Sequence, residues 1–279
     1  MAAGVTIGTI WDRTTQVLGG RSAMIAAIAI PTLFVPSVVQ GAIAAYVPEG
    51  ATRSMVGGLV SLIVTVITIW GSLAIVAMAT HPSTDRASAQ RQATARFWPV
   101  LGVTLLLAIV LVLLILPPII ALAATGFDFQ AASAAASADA PAAMPAPAAS
   151  ASLFIVLYGI AMLVLGLWAS ARLMLLNAVL LNERIGLGAF GRSIALTRGM
   201  TWKLLGVLIL FLIVAGIAVL AAQSVVGLVF RLILGADNIA TSLFIGSIAG
   251  AAASTALLSV AYVFTAQLYV ATREKHDPE

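Results

Sequence analysis

Apolar residues fall into six long runs, at about 22–46, 55–80, 97–124, 153–181, 202–229 and 239–270, separated by polar connectors. At about 1.5 Å of rise per residue, each run is long enough to cross a hydrocarbon core of about 30 Å. The pattern predicts an all-α polytopic membrane helical bundle with six transmembrane helices. Ahead of the first run, Ile7, Ile10, Trp11, Thr14, Val17 and Leu18 recur at helical spacing, with Asp12, Arg13 and Gln16 turned elsewhere. That spacing predicts an amphipathic helix on the membrane surface, with Trp11 at headgroup level. The segment from His81 to Arg96 repeats the pattern, carrying Arg86, Arg91 and Arg96 ahead of Phe97 and Trp98. Its apolar face is mostly alanine, so charge more than buried area sets its membrane affinity.

A third connector lies between 181 and 202 and holds Arg184, Arg192 and Arg198, followed by Lys203, among Gly186, Gly188, Gly191 and Gly199. Each basic residue would cost about 2.5–3.5 kcal/mol or more at the bilayer centre, so this segment is expected along the surface. Three amphipathic interfacial helices result, one before each pair of spans. The spacing echoes internally as well. Trp11 through Gly20 can be laid on Phe190 through Gly199 without a gap, and Trp98, Leu101, Gly102 and Val103 fall on Trp202, Leu205, Gly206 and Val207. The echo predicts three parallel units, each a surface helix followed by two crossings.

Within the runs, Pro31 and Pro36 predict a kink in the first span. Residues 125–150, rich in Ala, Ser and Pro with no basic residue, predict an extracytoplasmic spacer loop, because Pro141, Pro145 and Pro147 interrupt the helix that alanine favours. The first apolar run is too long for the apolar region of a cleavable signal.

The connector from 169 to 212 resembles a family of bacterial multi-pass membrane proteins that includes the membrane domain of glycerophosphoryl diester phosphodiesterase. Arg172, Glu183, Ala189-Phe190, Arg192-Ser193, Leu196-Thr197-Arg198-Gly199 and Trp202-Lys203-Leu204-Leu205-Gly206 carry the likeness. The resemblance covers about forty residues and implies a membrane module with no catalytic residues. Elsewhere only the layout agrees. The phosphodiesterase chemistry in the family name would need clustered His, Glu and Asp on a soluble barrel, and this chain has no room or residues for one.

Composition narrows the function classes. The chain has 279 residues, 62% hydrophobic and 9% charged, with a mean hydropathy of +1.12, outside the range of soluble domains. Its net charge of +4 comes from fourteen basic residues spread over several connectors, which form no stripe for nucleic acid. Topology accounts for them better. Arg13, Arg21, Arg86, Arg91, Arg96, Arg184, Arg192, Arg198, Lys203, Arg273 and Lys275 fall on one side of six spans, against Arg53 and Arg231 on the other. The positive-inside rule then predicts a bacterial inner (cytoplasmic) membrane protein with both termini cytoplasmic. Absence of cysteine excludes disulfides, thiolate catalysis and Cys-ligated metal.

No acidic residue and no histidine lies within a predicted span, which argues against proton relays and cation sites. His81 and His276 sit at or beyond span ends without metal-like spacing, so no metal, cofactor or catalytic residue is expected. Arg172 is the one charge inside an apolar run, about 29 Å down its helix, where it can snorkel to phosphates or pair with Glu183. Arg172, Arg192, Arg198 and Lys203 together form a candidate site for an anionic lipid headgroup. Gly246, Gly250 and Ser254 follow small-xxx-small spacing and predict close helix packing. Interhelical hydrogen bonds are the expected use of Gln40, Asn177, Gln223 and Gln267.

These features predict a non-enzymatic integral membrane protein that organises lipid or partner proteins through its basic surface helices. A transporter or flippase-like conduit for a lipid or apolar small molecule is the alternative, and an accessory subunit of a larger membrane complex is the third reading. Expected partners are membrane lipids, anionic by charge complement, together with a membrane-protein partner or a second copy of the chain.

Overall fold

The computed structural model describes residues 6–81, 83–137 and 145–276. The protein is all-α, with no strand among the described residues. Among the described residues, six helices are long and apolar enough to span a bilayer: Ile7–Tyr46, Ala51–Thr80, Arg86–Ala124, Ala149–Asn182, Thr201–Leu234 and Ile239–His276. It is a multi-pass membrane protein.

The first span joins α1 (Ile7–Ala29), a π-helical turn (Ile30–Phe34) and α2 (Val35–Tyr46). Pro31 and Pro36 bring no amide hydrogen, and the wider π turn absorbs the clash that proline makes with the preceding turn. Pro36 has no amide hydrogen to offer the Thr32 carbonyl four residues earlier, and the Thr68 hydroxyl of α3 (Ala51–Thr80) donates to it at 3.5 Å. α4 (Arg86–Ala124) is followed by α5 (Phe129–Ser137), α6 (Ala149–Leu173), α7 (Leu176–Asn182) and α8 (Gly188–Leu196). α9 (Thr201–Leu234) and α10 (Ile239–His276) follow.

Three expectations change. The segments before the first and third spans are not separate surface helices. Residues 7–18 and 86–96 are the opening turns of α1 and α4, and α8 alone stands apart as a short helix. The fourth span is interrupted at Met174 and Leu175, between α6 and α7. Part of the expected spacer, Phe129–Ser137, is helical. There Asp128 Oδ1 accepts the Ala131 amide at 2.8 Å as an N-cap, ahead of an alanine-rich run. Pro141 lies outside the described residues, and Pro145 and Pro147 lie in irregular chain.

Two compact units emerge. One is Gly102–Ser170, formed by parts of α4 and α6 with α5. In it the Tyr158 hydroxyl donates to the Leu114 carbonyl at 2.7 Å, and Phe154 stacks on Tyr158 at 5.6 Å. Most of its large apolar side chains are exposed, as suits contact with lipid.

The other unit comprises the chain up to Leu101 and from Ala171 onward. Its centre is α10, which packs against α1, α2, α3, α7, α8 and α9. Small residues allow these approaches. A Cβ on Gly246 would stand 2.7 Å from the Gln223 carbonyl oxygen and 3.1 Å from the Gly227 Cα, both on α9. Likewise Gly41 of α2 meets Ser247 of α10, and Gly71 of α3 meets Thr32. Gly246 and Gly250 are buried, whereas Ser254 is half-buried and its neighbour Thr255 takes the buried position. The neighbour that the small residues face is α9 of the same chain.

Candidate functional site: a polar hub where helix ends meet

α3, α7 and α10 pack on one another in all three pairings. The last ten residues of α3, Gly71 to Thr80, are all buried, as are Leu176 and Ala178 to Leu181 in α7 and most of Val263 to Thr272 in α10. Burial follows the internal echo. Thr14, Ala89 and Ser193 are equated when the three segments are laid together, and all have zero exposure. Eleven positions further along, Ile25, Val100 and Leu204 are buried too. The opening residues of each unit therefore pack inward at these two positions, although only the third forms a helix of its own.

Helix ends leave carbonyls without amide partners, and a buried helix end must find donors elsewhere. Here arginine and glutamine supply them. Arg21 of α1 donates through Nη1 to the Met78 carbonyl at 2.8 Å and to the His81 and Thr84 carbonyls at 3.2 Å each, closing the end of α3. The Gln267 amide of α10 donates to the Ala79 carbonyl at 2.6 Å. A cation at a helix C-terminus also offsets the negative end of its dipole.

The break after α6 follows the same logic. The Arg172 carbonyl accepts the Ser193 hydroxyl at 2.8 Å and the Thr197 hydroxyl at 3.4 Å, so α8 supplies the donors where the helix stops. Arg172 in return donates through Nη1 to the Ile194 carbonyl near the end of α8, at 3.2 Å. Between them, Arg184 at φ 57° and Gly186 at φ 55° turn the chain in the left-handed region, which lets α8 fold back. Glu183, the cap residue of α7, precedes this turn and faces inward. Its carboxylate accepts Arg192 Nε at 2.9 Å and the Tyr269 hydroxyl of α10 at 3.1 Å, tying α7, α8 and α10 together. With 25% and 16% of their side chains exposed, Arg192 and Glu183 form a largely desolvated pair. By contrast Arg13 and Glu274, which join the first turns of α1 to the last turns of α10 at 3.3 Å, are 47% and 60% exposed.

No family model, curated protein or solved structure matches this chain.

The candidate headgroup residues thus divide. Arg172 and Arg192 are spent on internal hydrogen bonds, with Arg172 bound to a carbonyl and Glu183 taken by Arg192. Arg198 and Lys203 are exposed, with no ion pair among the described residues, and Trp202 beside them is 85% exposed. The equated Trp98 is 74% exposed, two residues after Arg96. Arg86 and Arg91 are also exposed, and Arg91 reaches the Ser88 hydroxyl at 3.2 Å. Asp85 caps α4 by accepting the Ser88 amide at 2.9 Å. Hydrogen bonds from Ser88 hold its carboxyl below the usual value of 3.8.

Several residues of the hub escaped sequence reasoning: Arg21, Tyr269 and the hydroxyls of Ser193 and Thr197. Their partners are mostly backbone carbonyls, which leave no mark in a sequence. Gln267, expected to bond between helices, does so to α3. Gln40 and Gln223 are exposed, and Asn177 is exposed on α7. Among the described residues no cluster of three metal-ligating side chains occurs.

Proposed function

We propose that this protein is a non-enzymatic organiser of the bacterial inner membrane, with both termini cytoplasmic, whose hub end lies in the inner-leaflet headgroup layer and gathers anionic lipid. One observation carries the reading: the basic residues of this end fall into two classes. Arg21, Arg172 and Arg192 brace helix ends and turns inside the hub, while Arg198 and Lys203, with Arg86 and Arg91, remain exposed beside the outward-facing Trp202 and Trp98. Exposed cations next to interfacial tryptophans match an anionic headgroup layer, where each adds about 1 kcal/mol of attraction. The likeness of residues 169–212 to the phosphodiesterase-associated membrane module agrees with a role that has no chemistry of its own. A conduit remains the second reading, favoured by a half-open cavity at the hub that Gln267 lines.

The test uses Trp202 as the only tryptophan, in vesicles containing brominated lipid. Brominated phosphatidylglycerol should quench it more than brominated phosphatidylcholine does. The preference should fall by up to about thirtyfold in R198Q/K203Q, since each of the two charges contributes about 1 kcal/mol. Equal quenching by the two lipids in the unsubstituted background would end the proposal.

A further inference from the structure

The half-open cavity lies among the first turns of α1 and the last turns of α3 and α10, with a volume of about 620 Å³. That is within the range of small-ligand sites, about 300–1,000 Å³. Val17, Met78 and Val270 give it apolar walls, and Gln16 and Gln267 add amides. Every charged or titratable group on its lining is at hand: Arg13 and Arg21 from α1, His81 after α3, and Glu274 from α10. Arg21 commits Nη1 to carbonyls, and Arg13 pairs with Glu274 across an exposed 3.3 Å contact.

Two guanidiniums and one carboxylate at the rim suit a ligand that carries both signs. A simple phosphate would meet Glu274 as a like charge. A zwitterionic headgroup would instead place phosphate toward the guanidiniums and ammonium toward the carboxylate, exchanging one exposed ion pair for two. We propose that this cavity is a phospholipid site selective for the phosphoethanolamine headgroup, with Arg13 and Arg21 receiving the phosphate, Glu274 receiving the ammonium, and the apolar walls receiving the start of the glycerol and acyl chains. The assignment rests on the proposal that the hub end lies in the headgroup layer. It differs from that proposal in its lipid, its residues and its selectivity.

Gly20 lines the cavity, and a Cβ built there meets nothing within 4 Å, so Gly20→Leu adds bulk without a backbone clash and favours the helix. The full-length protein is purified free of phospholipid, offered equal phosphatidylethanolamine, phosphatidylglycerol and phosphatidylcholine, and examined by native mass spectrometry. Phosphatidylethanolamine should be retained to the highest collision energy by the unsubstituted protein and lost from G20L, whose thermal midpoint is unchanged or raised. In E274Q the preference for phosphatidylethanolamine over phosphatidylglycerol should fall about tenfold, as when one charge-assisted hydrogen bond is removed. The R198Q/K203Q variant should keep the phosphatidylethanolamine adduct. Three outcomes each overturn the cavity assignment: equal retention by unsubstituted protein and G20L, unchanged preference in E274Q, or complete displacement by soluble glycerophosphoethanolamine. Loss of the adduct in R198Q/K203Q alone also overturns it, while leaving the surface-charge proposal standing.

Discussion

The crossing of α9 and α10 gives a graded test, because three glycines at one interface differ in what an added methyl group would meet. On Gly246 a Cβ would stand 2.7 Å from a backbone carbonyl and 3.1 Å from a backbone Cα, neither of which a rotamer change can move. The helices must part, and overpacking of this kind costs about 1–3 kcal/mol. At Gly250 the nearest atoms are Gln223 Oε1 and Cβ, both at 3.3 Å; the amide can turn aside, and the fixed Cβ is a tight contact that a shift of a few tenths of an ångström relieves. For Gly227 the nearest is a carbonyl oxygen at 3.6 Å, an ordinary contact. Alanine also improves each helix by about 0.5–1 kcal/mol, since glycine loses more backbone freedom on folding. Gly246→Ala should therefore destabilise by about 1 kcal/mol or more, Gly250→Ala should lie near zero, and Gly227→Ala should be neutral or stabilising. Equilibrium unfolding in mixed detergent micelles, followed by tryptophan fluorescence, gives the order directly. If Gly227→Ala is as costly as Gly246→Ala, or Gly246→Ala is neutral, the close crossing is not the contact that holds α9 to α10.

Two further outcomes follow from the hub. Replacing Arg21 by Met leaves the carbonyls at the end of α3 without their donor, so the same unfolding assay should show a loss of about 2–3 kcal/mol, and Arg21→Lys should restore part of it. Equal stabilities of R21M and R21K would show that the guanidinium does not close that helix. Asp85 is ionised at a folded-state value below 3.8, so its cap is present above the ordinary carboxylate range and is lost as pH falls through the lowered value. A carbon NMR titration should place its midpoint below 3.8, and a midpoint at or above that value removes the cap.

Much of the architecture was legible because hydropathy needs no partner. An unbroken run of apolar residues predicts a crossing whatever it packs against, and all six runs fall within helices able to span a bilayer. Small residues at Gly246 and Gly250 were legible for a similar reason, as a four-residue spacing marks one helix face. Ser254 is only half-buried, because at 3.6 residues per turn a strict four-residue repeat drifts, placing it about 80° round the helix from Gly246. Less of the hub could be read. The break at Met174 falls inside an apolar run with no proline or glycine within seven residues of it, and it is stabilised by Ser193 and Thr197, some twenty residues later. Arg172 looked like a phosphate anchor because its charge was visible, while the Ile194 carbonyl that engages it was not. Glu183 and Arg192 are nine positions apart, a spacing that no single helix would bring together.

That α10 touches nearly every other element of its unit gives the order of synthesis a physical meaning. A ribosome delivers the chain from the amino end, so each earlier helix enters the bilayer before the surface it will settle on has been made. Until α10 arrives, the Gly41 and Gly227 faces have nothing to receive them, and the Glu183 carboxylate, already paired with Arg192, lacks the Tyr269 hydroxyl. Nascent chains cut short before Ile239 would leave those surfaces open to membrane proteases, and the arrival of α10 marks the moment at which this unit can close.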